Sequence, residues 1–182
     1  MWIVDNSVEV LKRVYECNRK EVRNIRTYDF STLYTCIPHK MLKDRMAWVI
    51  KGCFNKTSSQ YIRIGKYSAT WHKSRGKSKK LSWDQNELID HMNYLIDNIY
   101  VVCGDTLFRQ AIGIPMGTDC APFLANLFLY SFEHAWLLKK FENKEFDVLN
   151  KFKHCFRYID DLLCINNDQL MDTVMSEIGF DI

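Results

Sequence analysis

A chain of 182 residues that is 47% hydrophobic and 14% aromatic, with only three prolines, has the composition of one compact domain with a substantial core, which excludes a disordered chain. Its formal net charge of +3 hides an asymmetry: Lys56 to Lys80 holds eight basic residues and no acidic one, leaving 17 basic against 22 acidic residues elsewhere. A basic segment on an acidic body suits a chain that meets a polyanion with one part of itself, and a solvated loop accounts for the same run equally well.

Seven cysteines, at 17, 36, 53, 103, 120, 155 and 164, form no C-x-x-C pair, so neither a disulfide framework nor a zinc site is indicated and a reducing compartment is expected. The longest apolar run, CAPFLANLFLYSF, is about thirteen residues long and contains Asn126, too short to span a bilayer. A soluble chain with no membrane partner is expected.

In chain order, Asn6 or Ser7 caps a first helix, in which Val8, Leu11, Val14 and Tyr15 recur at helical spacing. β-branched and aromatic residues then make 25–35 a strand. Pro38 opens a helix through Phe54, since proline is tolerated in a first turn where its missing N–H has no partner to lose. Residues 60–72 read as a hairpin whose Tyr61, Tyr67 and Trp71 would either stack on bases or pack beneath it. Asp84 caps a helix over 85–99 that places Leu88, Ile89, Met92, Leu95, Ile96 and Ile99 on one face. Two short strands follow across Gly104-Asp105. The glycine-proline loop GIPMGTD leads into a long helix from about Asp119 to Phe141, with Pro122 in its first turn. Residues 153–166 form a second hairpin around Asp160-Asp161, and 168–178 a final helix.

This order describes an α+β layer with helices on one face of an antiparallel sheet. Asp29 sits inside a strand pattern and Asp160-Asp161 at a hairpin turn, so pairing those strands would bring together carboxylates 131 residues apart. Divalent cations would offset their repulsion, and Mg²⁺ suits them best: it is hard, takes oxygen ligands and is held by one or two carboxylates plus substrate phosphates. Two ions about 3.5–4 Å apart would clamp the attacking and leaving oxygens of a phosphoryl transfer. His39, His72, His91, His134 and His154 are isolated and read as ordinary surface or satisfied polar residues. Each piece alone also has a plain structural account, an Asp-Asp turn bonding its own backbone or a Gly-x-Pro-x-Gly loop that is only a turn. Their joint occurrence, each in the context its chemistry needs, carries the argument.

Residues 27–39 (TYDFSTLYTCIPH), 110–133 (QAIGIPMGTDCAPFLANLFLYSFE) and 156–163 (FRYIDDLL) resemble the A, B and C motifs of a reverse transcriptase palm, most similar in style to Penelope-like retroelement polymerases. The likeness runs from about Asp5 to Asn167. It implies a ferredoxin-like antiparallel sheet with helices on one face, partial fingers and no thumb, in a single partial domain with a basic insertion at about 56–83. It further implies that Asp29 and Asp160 hold two Mg²⁺ ions, with Mn²⁺ as the alternative metal, that Asp161 supports or ligates, and that the backbone carbonyl of Phe30 adds a ligand. Tyr34 falls where such enzymes place an aromatic gate beneath the sugar of the incoming nucleotide, which implies dNTP as substrate. Gln110, Pro115, Met116 and Gly117 would line the nucleotide and template pocket, and Tyr158 would lie near the primer end. The implied activity is RNA-directed DNA polymerisation on an RNA template and a DNA primer.

Lys73, Arg75, Lys77, Lys79 and Lys80 are expected to hold nucleic-acid phosphates on charge alone. Departures from the family pattern set a second expectation. Only 28 residues precede Asp29 and 21 follow Asp161, so most of the fingers, the thumb and any endonuclease are expected to be missing, as is a proton-donating lysine. The chain is then either a catalytic core that needs those parts, or a palm remnant that binds nucleic acid without polymerising.

Overall fold

The computed structural model of the chain describes residues 3–4, 6–16, 22–30, 32–76, 81–167 and 174. The chain divides into two compact units, Met1–Leu33 with Phe132–Ile182, and Tyr34–Ser131.

The first unit is built on a three-stranded antiparallel sheet in which β8 (Asp161–Ile165) lies between β1 (Ile25–Asp29) and β7 (Cys155–Tyr158). Strand alternation gives this sheet two apolar faces. On one, Phe156 and Ile165 form a core with Val4, against which Val10 and Val14 of α1 (Ser7–Glu16) pack. On the other, Cys155, Leu162 and Cys164 meet Trp136 of α5 (Ala121–Glu142) and Phe152, which follows α6 (Phe146–Lys151). The expected arrangement of helices on one face therefore gives way to helices on both. Strands with bulky apolar residues at successive positions, such as Leu162 and Leu163, need cover on each side.

Asn6 is the N-cap of α1, its side-chain oxygen accepting from the Glu9 amide at 3.0 Å. β1 stops at Asp29 instead of continuing to Thr35, because its partner strand β8 begins at Asp161 and offers no ladder beyond. The chain turns there, Leu33 N donating to Phe30 O at 3.0 Å, and enters the short helix α2 (Leu33–Cys36). The final helix expected at 168–178 lies outside the described residues, apart from Val174, which is helical and buried.

In the second unit α3 (His39–Thr57) packs on α4 (Gln85–Asp97). Pro38 is the N-cap of α3 in extended conformation, one residue ahead of the first turn where it was expected. Asp84 and Glu87 form a reciprocal capping box at the start of α4. Of the six apolar residues expected on the inner face of α4 only Ile96 is fully buried, and Leu95 is 50% exposed, so the covered stripe is narrower than the apolar one. β2 (Tyr61–Ile64) pairs with β3 (Ala69–His72) as expected and also with β4 (Ser82–Trp83). β5 (Tyr100–Cys103) and β6 (Thr106–Arg109) form a two-stranded hairpin exposed throughout. No described helix is long and apolar enough to cross a membrane. The six described cysteines are all free, and the Cys164 thiol is raised well above its ordinary value by its hydrogen bond with Cys155 and by burial, as suits an inert core residue.

Candidate active site

The antiparallel register places Asp29 directly opposite Asp161, and Asp161 directly opposite Tyr158 on its other side. Residues paired in this way share a face of the sheet. Tyr158, Asp161 and Asp29 thus form one row across the three strands. Asp160 adjoins the row in the β7–β8 turn, its carbonyl accepting from Phe30 N at 3.2 Å. Asp29 and Asp161 are exposed and Asp160 is half-buried, and among the described residues no hydrogen bond or ion pair engages these carboxylates. Like charges directly opposite each other destabilise a sheet. The row is therefore maintained against its own electrostatics.

A buried clamp holds the turn that carries it. Arg157, 1% exposed, forks onto Glu133 of α5, with Nε to Oε1 at 2.6 Å and Nη2 to Oε2 at 2.9 Å. Its remaining nitrogen, Nη1, donates to the carbonyl of Ile159 at 2.8 Å. Ile159 has φ 52, a left-handed conformation that a β-branched residue rarely adopts. Such strain persists only where the surroundings over-determine it. Neither Arg157 nor Glu133 was singled out from the sequence. The available signal was an arginine at a core-facing strand position, which requires a carboxylate partner.

In the second unit, the G-x-P-x-G loop is tied to the segment containing Tyr34. Ile114 N donates to Tyr34 O at 2.6 Å and Gly113 N to Ile37 O at 2.8 Å, while His39 Nε2 bonds Gly113 O at 2.7 Å. Gly113 has φ 81, and a Cβ there would lie 2.5 Å from the Tyr34 carbonyl oxygen, so only glycine fits. Gln110 spends its amide on the loop, Nε2 donating to Ile112 O at 2.9 Å. Pro115 is half-buried, and Met116 and Gly117 are exposed.

The basic segment divides. Arg75 is half-buried and committed to the protein: it pairs with Glu87, donates to Ser82 O at 3.3 Å and lies over the Tyr61 ring. The carboxylate of Glu87 is held below its ordinary range by that bond to Arg75 and by the Asp84 backbone amide. Arg75 thus serves as an internal tie in the folded chain. Lys73 is exposed, while Lys77, Lys79 and Lys80 lie outside the described residues.

Among the described residues no three His, Cys, Asp or Glu side chains converge to hold a metal ion. Two carboxylates on one face nevertheless match the donor set of Mg²⁺, which completes its octahedron with water and substrate phosphates. Asp29 and Asp161, with Asp160 beside them in the turn, fit such an ion.

Neither a family model nor a curated protein matches the chain. Solved structures match it in fold. Telomerase from Candida albicans in complex with a TWJ fragment of telomeric RNA superposes with a TM-score of 0.60 at 15% identity, over 100% of this chain and 29% of that one. Telomerase from Candida tropicalis with the TWJ fragment gives 0.61 at 19% identity, over 99% and 27%. Its apo form gives 0.60 at 17%, over 99% and 30%. The likeness is one of fold, and the chain spans less than a third of the telomerase chains it matches.

Proposed function

We propose that this chain is the palm core of an RNA-directed DNA polymerase of Penelope-like retroelement type, which adds dNTP to a primer 3′-hydroxyl on an RNA template. The observation that carries the reading is the row of Asp29 and Asp161, with Asp160 beside it, on a reverse-transcriptase-like fold. Asp29 and Asp160 would hold Mg²⁺ or Mn²⁺ with help from Asp161 and the Phe30 carbonyl. When bound, such ions lower the pKa of the attacking hydroxyl and balance charge on the leaving pyrophosphate. The protein's own contribution is position. The Arg157–Glu133 clamp fixes the turn bearing Asp160, so that little reorganisation remains when substrate arrives.

The motif resemblance assigns Tyr34 to exclusion of a ribose 2′-hydroxyl, the Pro115-Met116-Gly117 loop with Gln110 to the nucleotide and template, and Tyr158 to the primer end. Lys73, with Lys77, Lys79 and Lys80, supplies positive charge for phosphates. An RNA partner is in keeping with the telomerase neighbours, two of which hold an RNA fragment. The chain spans under a third of the telomerase chains it matches, and primer extension is proposed for a polymerase built around this core.

The metal site is testable in the chain alone. Mn²⁺ titration followed by electron paramagnetic resonance should show bound ion that is lost in Asp29→Asn and in Asp160→Asn. Equal binding by wild type and both variants would remove the two-metal reading.

A further inference from the structure

Three aromatic residues lie in the segment that has no acidic residue, and the structure separates their roles. Trp71 stands edge-on to Phe54 of α3 at 5.0 Å between ring centroids, so it packs the hairpin onto the helix. Tyr61 lies under the Arg75 guanidinium, 5.6 Å from its ring centre. Tyr67 does neither. It sits in the turn between β2 and β3 and is 88% exposed, more open than any other large apolar or aromatic side chain among the described residues. The turn is closed by a bond from Gly65 N to Ser68 O at 2.7 Å, which leaves Lys66 and Tyr67 as its two central residues. Lys66 Nζ lies 4.9 Å from the Tyr67 ring centre.

We infer that the tip of the β2–β3 hairpin is a contact for single-stranded nucleic acid, in which Tyr67 stacks on a base and Lys66 meets a neighbouring phosphate. An exposed ring offers a flat apolar face on which a base can stack, and a polyanion that carries such faces is a nucleic acid. A duplex hides its base faces, so the partner is single-stranded. β3 is an edge strand with β2 on one side only, and Lys73 follows its far end, about 13 Å along for four residues of strand. A single strand laid from the tip along this edge would meet basic groups at both ends, with no carboxylate from Lys56 to Lys80 to repel it.

The inference rests on the polymerase reading for its choice of partner, and its test separates the two. Fluorescence anisotropy would follow binding of the 182-residue chain to a labelled oligouridylate and to the same backbone made abasic. Tyr67→Ala should weaken oligouridylate binding about tenfold or more, as loss of a base–aromatic stack does, while Tyr67→Phe should retain it. Wild type and Tyr67→Ala should bind the abasic strand alike. Lys66→Gln should instead flatten the salt dependence by about 0.7 in the log–log slope. If Tyr67→Ala binds oligouridylate as wild type does, the tip contact is overturned and nucleic-acid binding by the chain stands. If wild type binds no oligonucleotide, both fall. Tyr67-dependent binding to phosphatidylserine vesicles that matches the oligouridylate result would overturn the assignment in favour of a lipid surface.

Discussion

Two hairpins of this chain close through two-residue turns whose first residue is left-handed, in opposite surroundings. β5–β6 turns through Gly104 at φ 61, and β7–β8 turns through Ile159 at φ 52. The first has every strand residue exposed and uses the residue that adopts a left-handed conformation without steric cost. The second packs core residues on both faces and places a β-branched residue where glycine would be easier. What differs is the clamp: Arg157, joined to Glu133, holds the carbonyl of Ile159 itself. Strain is tolerated in the hairpin whose turn presents Asp160 and Asp161, and the solvent-exposed hairpin avoids it. That is the distribution expected when a turn must hold a shape for chemistry.

The sharpest way to break the comparison is to remove the clamp. Glu133→Ala leaves the Arg157 charge buried without its partner and should cost about 3–5 kcal/mol, read by urea denaturation. Replacing both residues together, Arg157→Met with Glu133→Leu, should cost far less, because no charge is stranded. A loss under about 1 kcal/mol for Glu133→Ala would mean the pair is solvated in solution and does not hold the turn. Next in size is Gly113→Ala, which places a Cβ against the Tyr34 carbonyl at a left-handed φ and should destabilise by more than about 1 kcal/mol. Thermal unfolding would measure it.

Exchanging the turn residues tests the comparison directly. Gly104→Ile should cost about 1–2 kcal/mol, since nothing clamps that turn. Ile159→Gly should stay within about 1 kcal/mol of wild type, relief of strain offsetting the larger entropy of the unfolded chain. Equal losses in both variants, measured by denaturant titration, would show that the two turns are energetically alike.

The parts of the molecule legible in the sequence were those governed by near neighbours. Asp84 capping α4, Gly104 turning β5 into β6 and Asn6 starting α1 each follow from residues within a turn of one another. The carboxylates were legible as a group because strand pairing was enough to unite Asp29 with the Asp160-Asp161 turn. What escaped depends on distant partners. β4 is two residues long and exists only through pairing with β2. The side of the sheet on which α1 docks is a choice between two apolar faces that periodicity does not make. Arg157 finds Glu133 across 24 positions, and Arg75 finds Glu87 across 12.

That last pair supplies the smallest expected effect. The Glu87 carboxylate is lowered in the folded chain by Arg75, and that of Asp97 by Lys43, so each binds its proton less readily folded than unfolded. A depressed carboxylate contributes stability that is fully present above its unfolded value, near 4.5 for Glu87, and that contribution is lost as pH falls through the lower folded value. Both pairs anchor α4, Glu87 at its first turn and Asp97 at its last, so the second unit should lose helix docking in acid below that range. Because the pairs remain partly open to solvent, added salt should reduce the contribution even at neutral pH. Glu87→Gln should flatten the acid limb of a stability–pH curve while leaving the neutral plateau only slightly lower. An unchanged acid limb in Glu87→Gln would show that the Arg75–Glu87 pair contributes no measurable stability to the folded chain.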